Sequence, residues 1–461
     1  MDSTPYRERR RRLAEQMRRA GGGLAILPTA PERPRNADSD HPYRHDSHFH
    51  YLTGFDEPGA WLLLASDGRA EVVCREKNAE REIWDGVRLG SAAAPQHLGV
   101  DDAHALETLD DVAVERLANQ PAVWLPAGVP ELQARVDGWL ARLRPRARMG
   151  VRTPTTQHDL GPLLGEMRLV KDAGELATMR RAAAISAGAH RRAMRFCAQR
   201  LRADPQGRVR EYEIEAELLH EFRRHGAQGP AYGSIVAAGA NACVLHYAAA
   251  GAELKPGELC LIDAGCELDG YASDVTRTFP ADGRFSAPQR ALYEIVEAAQ
   301  RAAIAATRPG ARQRDAHDAA VRVLAQGMLD SGLLDRSKVG DVDAVIESTA
   351  YRQFYMHGTG HWLGRDVHDT GEYLALDEAP FEQPDGLGGR VVRSPSRVLQ
   401  PGMVVTLEPG LYVRPAEGVP ERFWHIGIRI EDDAVVTADG CELISRGVPV
   451  GADEIEALMR D

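Results

Sequence analysis

Short apolar runs separated by turn residues open the chain. LAILP at 24–28, AWLLLAS at 60–66, AEVVCR at 70–75 and AVWLP at 122–126 each predict a strand, and YLTGF at 51–55 reads the same way. Around them lie helical periodicities. One starts at Thr4-Pro5, with proline in the first turn, and stops at the triple glycine 21–23. Another is ELQARVDGWLARL at 131–143. The first part is therefore a small α/β unit with a sheet.

A turn-rich stretch at 150–172 marks a boundary. Asp172 and Glu175 have the spacing of a capping box, and a long helix follows. We place an N-terminal domain at 1–172 and a second domain at 173–461. In the second, helices at 176–199, 211–225, 287–307 and 312–331 alternate with strands at 258–264, 271–279, 403–408 and 426–437. The strands come in antiparallel-looking pairs, so the fold class is α+β rather than a doubly wound parallel sheet. Residues 372–400, rich in Pro, Gly and charge, read as a long loop.

Composition excludes several classes. The 461-residue chain is 43% hydrophobic and 27% charged with a formal net charge of -12, which leaves no basic face for nucleic acid. The basic run RERRRR at 7–12 lies within a helical pattern and is read as a solvated helix face. No apolar run reaches the ~18 residues of a membrane span, and no secretory h-region follows the basic start. Six scattered cysteines without a CxxC pair suit a reducing cytoplasm.

Candidate chemistry sits on the second-domain strands. LCLID (259–263) and YASDVTRTF (271–279) form a hairpin around ELDG. A turn centred on Leu268-Asp269 sets Asp263 opposite Asp274, whereas one centred on Asp269-Gly270 makes them diagonal neighbours on one face. Either way two carboxylates crowd an apolar setting, so one holds a proton unless a cation lies between them. GMVVTLEPGLY (402–412) ends an apolar strand on Glu408. HIGIRIEDD (425–433) alternates, so Arg429 and Glu431 share the face opposite Ile426, Ile428 and Ile430.

The stretch HGTGHWLGRDVHD (357–369) adds three histidines. His357 and His361 are four apart, but the glycines between them argue against a helical zinc motif and for a sharply turned or closely approached backbone. Asp263, Asp274, His361, Glu408 and Glu431 make an oxygen-rich donor set suited to a hard divalent ion such as Mn²⁺, and four carboxylates suit two ions better than one. A mononuclear site of His361, Asp366 and His368 would leave the aspartate hairpin and both glutamate strands unexplained.

In this order the residues resemble the pita-bread metallopeptidases, and within them the aminopeptidase P group. The resemblance runs through NACVLHY (241–247), LIDAGCELDGYASDVTRTFP, HGTGHWLGRDVHD, LEPGLY and GIRIEDD. PYRHDSHFHYLTGFDEPGAWLLL and REIWDGVRLG extend it into the first domain. It implies a C-terminal pita-bread catalytic domain and an aminopeptidase releasing the first residue of peptides with proline second. It also implies a dinuclear site, usually Mn²⁺, whose bridging hydroxide attacks the scissile carbonyl. Asp263 would chelate one metal, Asp274 and Glu431 would bridge, and His361 and Glu408 would complete the other. Glu408 would also handle the hydroxide's proton. His246 and His368 would face the substrate carbonyl, His357 would line the cleft, and Arg429 would hold the bridging carboxylates. A homodimer or homotetramer is implied, with the N-terminal domain at the contacts and cleft wall, and Trp84 matches a position that reaches a neighbour's site. The stretch 372–400 looks like an insertion and is expected near the cleft or a subunit contact. The histidine-rich HPYRHDSHFHY (41–51) is not part of the implied metal site.

Overall fold

The structure is a computed structural model that describes residues 2–203, 208–384 and 389–460. It divides into two compact units, Met1–Met167 and Arg168–Asp461.

The first unit is built on one six-stranded sheet. Its spatial order is Asp102–Ala105, Ala70–Cys74, Trp61–Ala65, Leu24–Pro28, Ala122–Leu125, Thr156–Asp159. Leu24–Pro28 pairs antiparallel with Trp61–Ala65 and parallel with Ala122–Leu125. Alternate residues serve two cores. Ala25 and Leu27 pack with Leu13, Met17 and Phe49 on one face, while Leu24 and Ile26 pack with Leu117, Val136 and Trp139 on the other. A sheet covered on both faces explains why its strands read as unbroken apolar runs.

Two expectations fail in this unit. The stretch YLTGF is not a strand: Ser47–Thr53 is a helix, capped by the Asp46 side chain, which accepts from Phe49 N at 2.8 Å, and ended by Gly54 in the left-handed region. These two caps outweigh the short β-like apolar run. The basic run is not all solvated either. Within the helix Thr4–Arg19, Arg9 and Arg10 are buried. Arg10 donates to the carbonyls of Leu52 (2.7 Å) and Gly99 (2.5 Å), and Arg9 lies 4.3 Å from the centroid of the Tyr51 ring. The two side chains satisfy carbonyls at the ends of neighbouring helices, which compensates their burial.

In the second unit, helices Ala173–Ala203, Glu211–Arg224, Ala287–Ala306 and Gln313–Ser331 pack with small antiparallel sheets in one core. The capping box is present: Asp172 N donates to Glu175 Oε2 and Glu175 N to Asp172 Oδ1, both at 2.9 Å. One sheet runs Ile235–Ala238, Leu259–Asp263, Thr276–Pro280, and another Val404–Leu407, Asp432–Val436, Cys441–Leu443. Residues 372–400 are not simply a loop. Phe381–Pro384 pairs with Arg390–Arg393 in an antiparallel hairpin, and 385–388 lie outside the described residues. No helix of the described residues is long and apolar enough to cross a membrane.

The aspartate hairpin takes the second of its two registers. Leu268 opposes Tyr271 and Asp263 opposes Thr276, around a two-residue turn in which Asp269 and Gly270 both have positive φ (51° and 74°). Asp263 and Asp274 are therefore diagonal neighbours. Between them the strands close so tightly that a Cβ on Gly265 would lie 1.7 Å from the Ser273 carbonyl oxygen. Gly265→Ala should destabilise the second unit by about 2–4 kcal/mol, because two strands must separate to admit a methyl group. An unchanged denaturant midpoint would show that the hairpin gives way without cost.

Candidate metal centre

Five segments deliver the site residues. Asp263 ends the strand Leu259–Asp263, and Asp274 precedes Thr276–Pro280. Glu408 follows Val404–Leu407, with its N–H donating to Thr359 O at 2.8 Å. Glu431 follows Ile426–Arg429 and is drawn to the hairpin by its N–H, which donates to Thr276 O at 3.0 Å. His361 comes from 357–369, which runs beside Val404–Leu407. Thr406 N donates to His361 O at 3.0 Å and Leu363 N to Val404 O at 3.1 Å. Gly360 is needed for that approach, since a Cβ there would meet Thr406 O at 1.9 Å, whereas Gly358 faces open space.

The five side chains converge. His361 Nε2 lies 3.4 Å from Asp274 Oδ2 and 3.9 Å from Glu408 Oε1. Asp274, His361 and Glu431 each offer a ligand atom, all within 4.8 Å of one another. His361 Nδ1 is 3.0 Å from Trp362 O, so donation there leaves Nε2 free toward the carboxylates. This is the orientation of a metal-ligating histidine.

The electrostatics call for more positive charge. Burial raises Asp263, and repulsion from Asp274 adds to it, against the pull of Arg429. Burial and three neighbouring carboxylates hold Glu431 well above the usual range. Burial lifts Glu408 to about 7 despite His361 and Arg429. Burial alone would lower His361, but the Asp274 and Glu408 carboxylates prevail and raise it to about 9. The Tyr232 hydroxyl sits 2.6 Å from Asp263 Oδ1 and 2.5 Å from Asp274 Oδ1. A phenol has one hydrogen, so it must be shared between the two carboxylates unless one of them holds a proton of its own. Buried acids that retain protons are a donor set matched to divalent cations, whose binding displaces those protons.

Arg429 organises the floor. It donates to Asp263 Oδ2 at 2.6 Å, to Thr276 Oγ1 at 3.2 Å and to the Tyr412 hydroxyl at 3.0 Å. Thr276 Oγ1 passes its own hydrogen to Glu431 Oε2 at 2.7 Å. His357 Nε2 lies 2.8 Å from the Tyr412 hydroxyl and its Nδ1 2.7 Å from Gly358 O. Burial and nearby Arg429 push His357 down to about 3, so it is neutral. His368 packs edge-on to His361, ring centroids 4.2 Å apart, and is exposed. His246 is also exposed. Asp366 and Asp369 point elsewhere: Arg168 pairs with both, and Lys171 Nζ is 3.0 Å from Asp369 Oδ2. The pairs to Asp369 are buried, and together the three bind residues 168–171 to the site loop. Trp84 lies on the helix Ala79–Asp85 of the first unit, 83% exposed beside exposed Ile83 and Val87.

Sequence reasoning missed Tyr232 and Thr276. Thr276 follows Asp274 on the same strand face, so alternation could have found it. Tyr232 is set by Ala231 N donating to Gly265 O at 2.9 Å, a long-range contact without a local signal.

The family model for metallopeptidase family M24 matches residues 177–438. The chain belongs to family M24. A second family model, the aminopeptidase P N-terminal domain, matches residues 6–124, so this M24 chain joins that domain to a pita-bread domain. It is 41% identical to the Xaa-Pro aminopeptidase of Escherichia coli (strain K12) over 98% of this chain and 97% of the relative. It is 30% identical to the mitochondrial intermediate cleaving peptidase 55 of Arabidopsis thaliana, over 99% and 83%. The solved structure of Pseudomonas aeruginosa aminopeptidase PepP covers 100% of this chain and 98% of its own, with a TM-score of 0.91 at 45% identity.

In chelated protein the raised groups give a definite pH dependence. Folding holds the Glu408 proton to about 7 instead of 4.5 and the His361 proton to about 9 instead of 6.5. The stability each contributes is complete below the lower value and lost through the higher one. The thermal midpoint in chelator should therefore fall as pH rises from near 5 through 9. A midpoint that climbs across this window would contradict the arrangement.

Proposed function

We propose that the chain is a metal-dependent aminopeptidase that releases the N-terminal residue from peptides with proline second. The observation that carries this is the convergence of Asp263, Asp274, His361, Glu408 and Glu431, from five segments, on one space where their negative charge is undercompensated. The names of the M24 relatives support the substrate class.

On this reading two divalent cations, Mn²⁺ foremost, are held by these five residues. Of the five, Asp274 and Glu431 are central to the cluster and would be shared between the two ions. When bound, the cations supply Lewis acidity and a water nucleophile acidified toward neutral pH. The remaining work falls to the chain. Glu408, at the open side of the cluster, takes the proton of the attacking water and returns it to the departing proline nitrogen. His246 and His368 donate to the scissile oxygen as charge builds on it. Neutral His357, fixed by Tyr412, lines the prolyl side. Arg429 keeps Asp263 and, through Thr276, Glu431 in place. Proline makes the scissile bond a tertiary amide without an N–H, so the site must accept the ring rather than bind that hydrogen.

Free cysteines throughout support a reducing, cytoplasmic setting. Exposed Ile83, Trp84 and Val87 support a homodimer or homotetramer in which Trp84 reaches a neighbouring protomer.

The test is a Mn²⁺-dependent assay on Xaa-Pro-Ala against the Xaa-Pro dipeptide, with metal content measured in parallel. Release of Xaa from the tripeptide is expected; cleavage of the dipeptide alone would make the enzyme a proline dipeptidase. Asp274→Ala and Glu431→Ala should each lower kcat/KM by at least about 10³-fold and remove one or both ions, because each deletes a bridge. Activity within about tenfold of wild type would contradict the ligand assignment.

A further inference from the structure

A cavity of about 840 Å³ lies in the second unit against the outer side of the site. The helix Gln313–Ser331 and the short helices at 342–353 enclose it, and Tyr355, Met356 and His357 form the wall toward the carboxylate cluster. Its volume is that of a ligand site rather than a packing defect. His357 is common to both spaces: it lines the cavity, and through Tyr412 it connects to Arg429.

The charges lining the cavity are unevenly paired. Arg322 Nη2 lies 2.8 Å from Asp343 Oδ1, and Arg314 Nε 3.3 Å from Asp318 Oδ1. Among the described residues, Arg352 and Arg393 have no ion pair, and Glu347 is the one lining acid without one. Arg314, Arg352 and His317 all line the cavity, and after burial the two guanidinium groups depress His317 to about 4. Burial also raises Asp318, which weakens the acid side of the balance. Arg393 stands on the strand Arg390–Arg393, so the hairpin within 372–400 reaches the cavity.

We propose that this cavity binds a carboxylate carried by the peptide substrate downstream of its proline, through Arg352 and Arg393. The inference rests on the aminopeptidase reading. An exopeptidase that takes the free N-terminus into its metal cluster leaves the rest of the peptide trailing outward past the prolyl wall, and His357 is that wall. Guanidinium groups recognise carboxylates in a fixed two-point geometry that lysine does not match. The carboxylate comes either from the C-terminus of a short peptide or from an acidic side chain in a longer one.

Calorimetry on the Mn²⁺-loaded protein tests this without turnover. The probes are Pro-Ala-Ala with a free C-terminus, Pro-Ala-Ala-amide and Pro-Ala-Asp-amide. At least one carboxylate-bearing peptide should bind about tenfold more tightly than the neutral amide. Preference for the first carboxylate probe identifies the C-terminus, and preference for the second identifies a side chain. In the double variant Arg352→Gln/Arg393→Gln the preference should fall below about twofold, and Arg393→Gln alone, on the hairpin, should remove part of it. Lysine at both positions should restore part of it. Equal binding of the three peptides by wild type, survival of the preference in the double variant, or an equal loss for all three peptides in both variants overturns the proposal. Release of the first residue from Ala-Pro-Ala-Ala-amide is measured separately. Its failure in wild type would overturn the peptidase reading, whereas the calorimetric preference judges the cavity.

Discussion

Mutual repulsion among Asp263, Asp274, Glu408 and Glu431 is the constraint around which the second unit is arranged. Four carboxylates and one imidazole share a space lined by one guanidinium, and burial strengthens every repulsion by removing water. The fold meets it with strong restraints rather than distance. Behind Glu431, Arg277 is wholly buried and donates to Glu431 O (2.6 Å), Thr276 O (2.9 Å) and Asp432 Oδ1 (2.8 Å). Asp432 also accepts from Gln300 and Ser445. Buried Asp433 accepts from Asp274 N at 3.2 Å. Truncating one member of such a buried pair leaves the other uncompensated, which costs about 3–5 kcal/mol. The scaffold thus keeps the acids where they would otherwise separate.

The same restraints explain the site's asymmetry. Arg429 compensates Asp263 directly and reaches Glu431 only through Thr276. Among the described residues it forms its ion pair with Asp263 and not with Glu408, whose burial raises it to about 7. Glu408 is also the most exposed of the four carboxylates, so it is the one that solvent reaches most readily. On the opposite side, Tyr412 has its oxygen engaged by Arg429 and its hydrogen available to His357. His357 is thereby fixed in one tautomer and stays neutral, suited to packing against a ring rather than to carrying charge.

The sequence revealed the site's donors better than the contacts that hold them. Alternation in HIGIRIEDD put Arg429 and Glu431 on one face, and both reach the site. The hairpin left two registers open because composition does not say where ELDG turns. The positive φ that Asp269 and Gly270 share decides it, since Asn, Asp and Gly best tolerate that region. The helix Ser47–Thr53 was misread because Tyr51, Leu52 and Phe55 looked like a short strand, though its caps, Asp46 and Gly54, were in view. Arg9 and Arg10 were misread because nothing local shows that Leu52 and Gly99 carbonyls wait above them. Tyr232 is of the same kind: its position depends on a strand pairing across more than thirty residues.

The segment 372–400 reads as a loop in sequence, yet it folds in part as a hairpin. Its beginning is fastened to the site loop. The Tyr373 ring stacks on Trp362 with centroids 5.3 Å apart, and Trp362 N donates to the Tyr373 hydroxyl at 2.9 Å. Its end returns beside the same unit, where Leu399 N donates to Ala311 O at 2.8 Å. Between these anchors Arg312 pairs with Glu378, and the hairpin projects with Phe381 and Val392 exposed. The segment is thus anchored at one end on the loop that bears His361 and at the other beside Ala311, just before the helix Gln313–Ser331. The hairpin between these anchors carries Arg393 to the outer cavity, while the carboxylate cluster is held separately by Arg277 and Arg429.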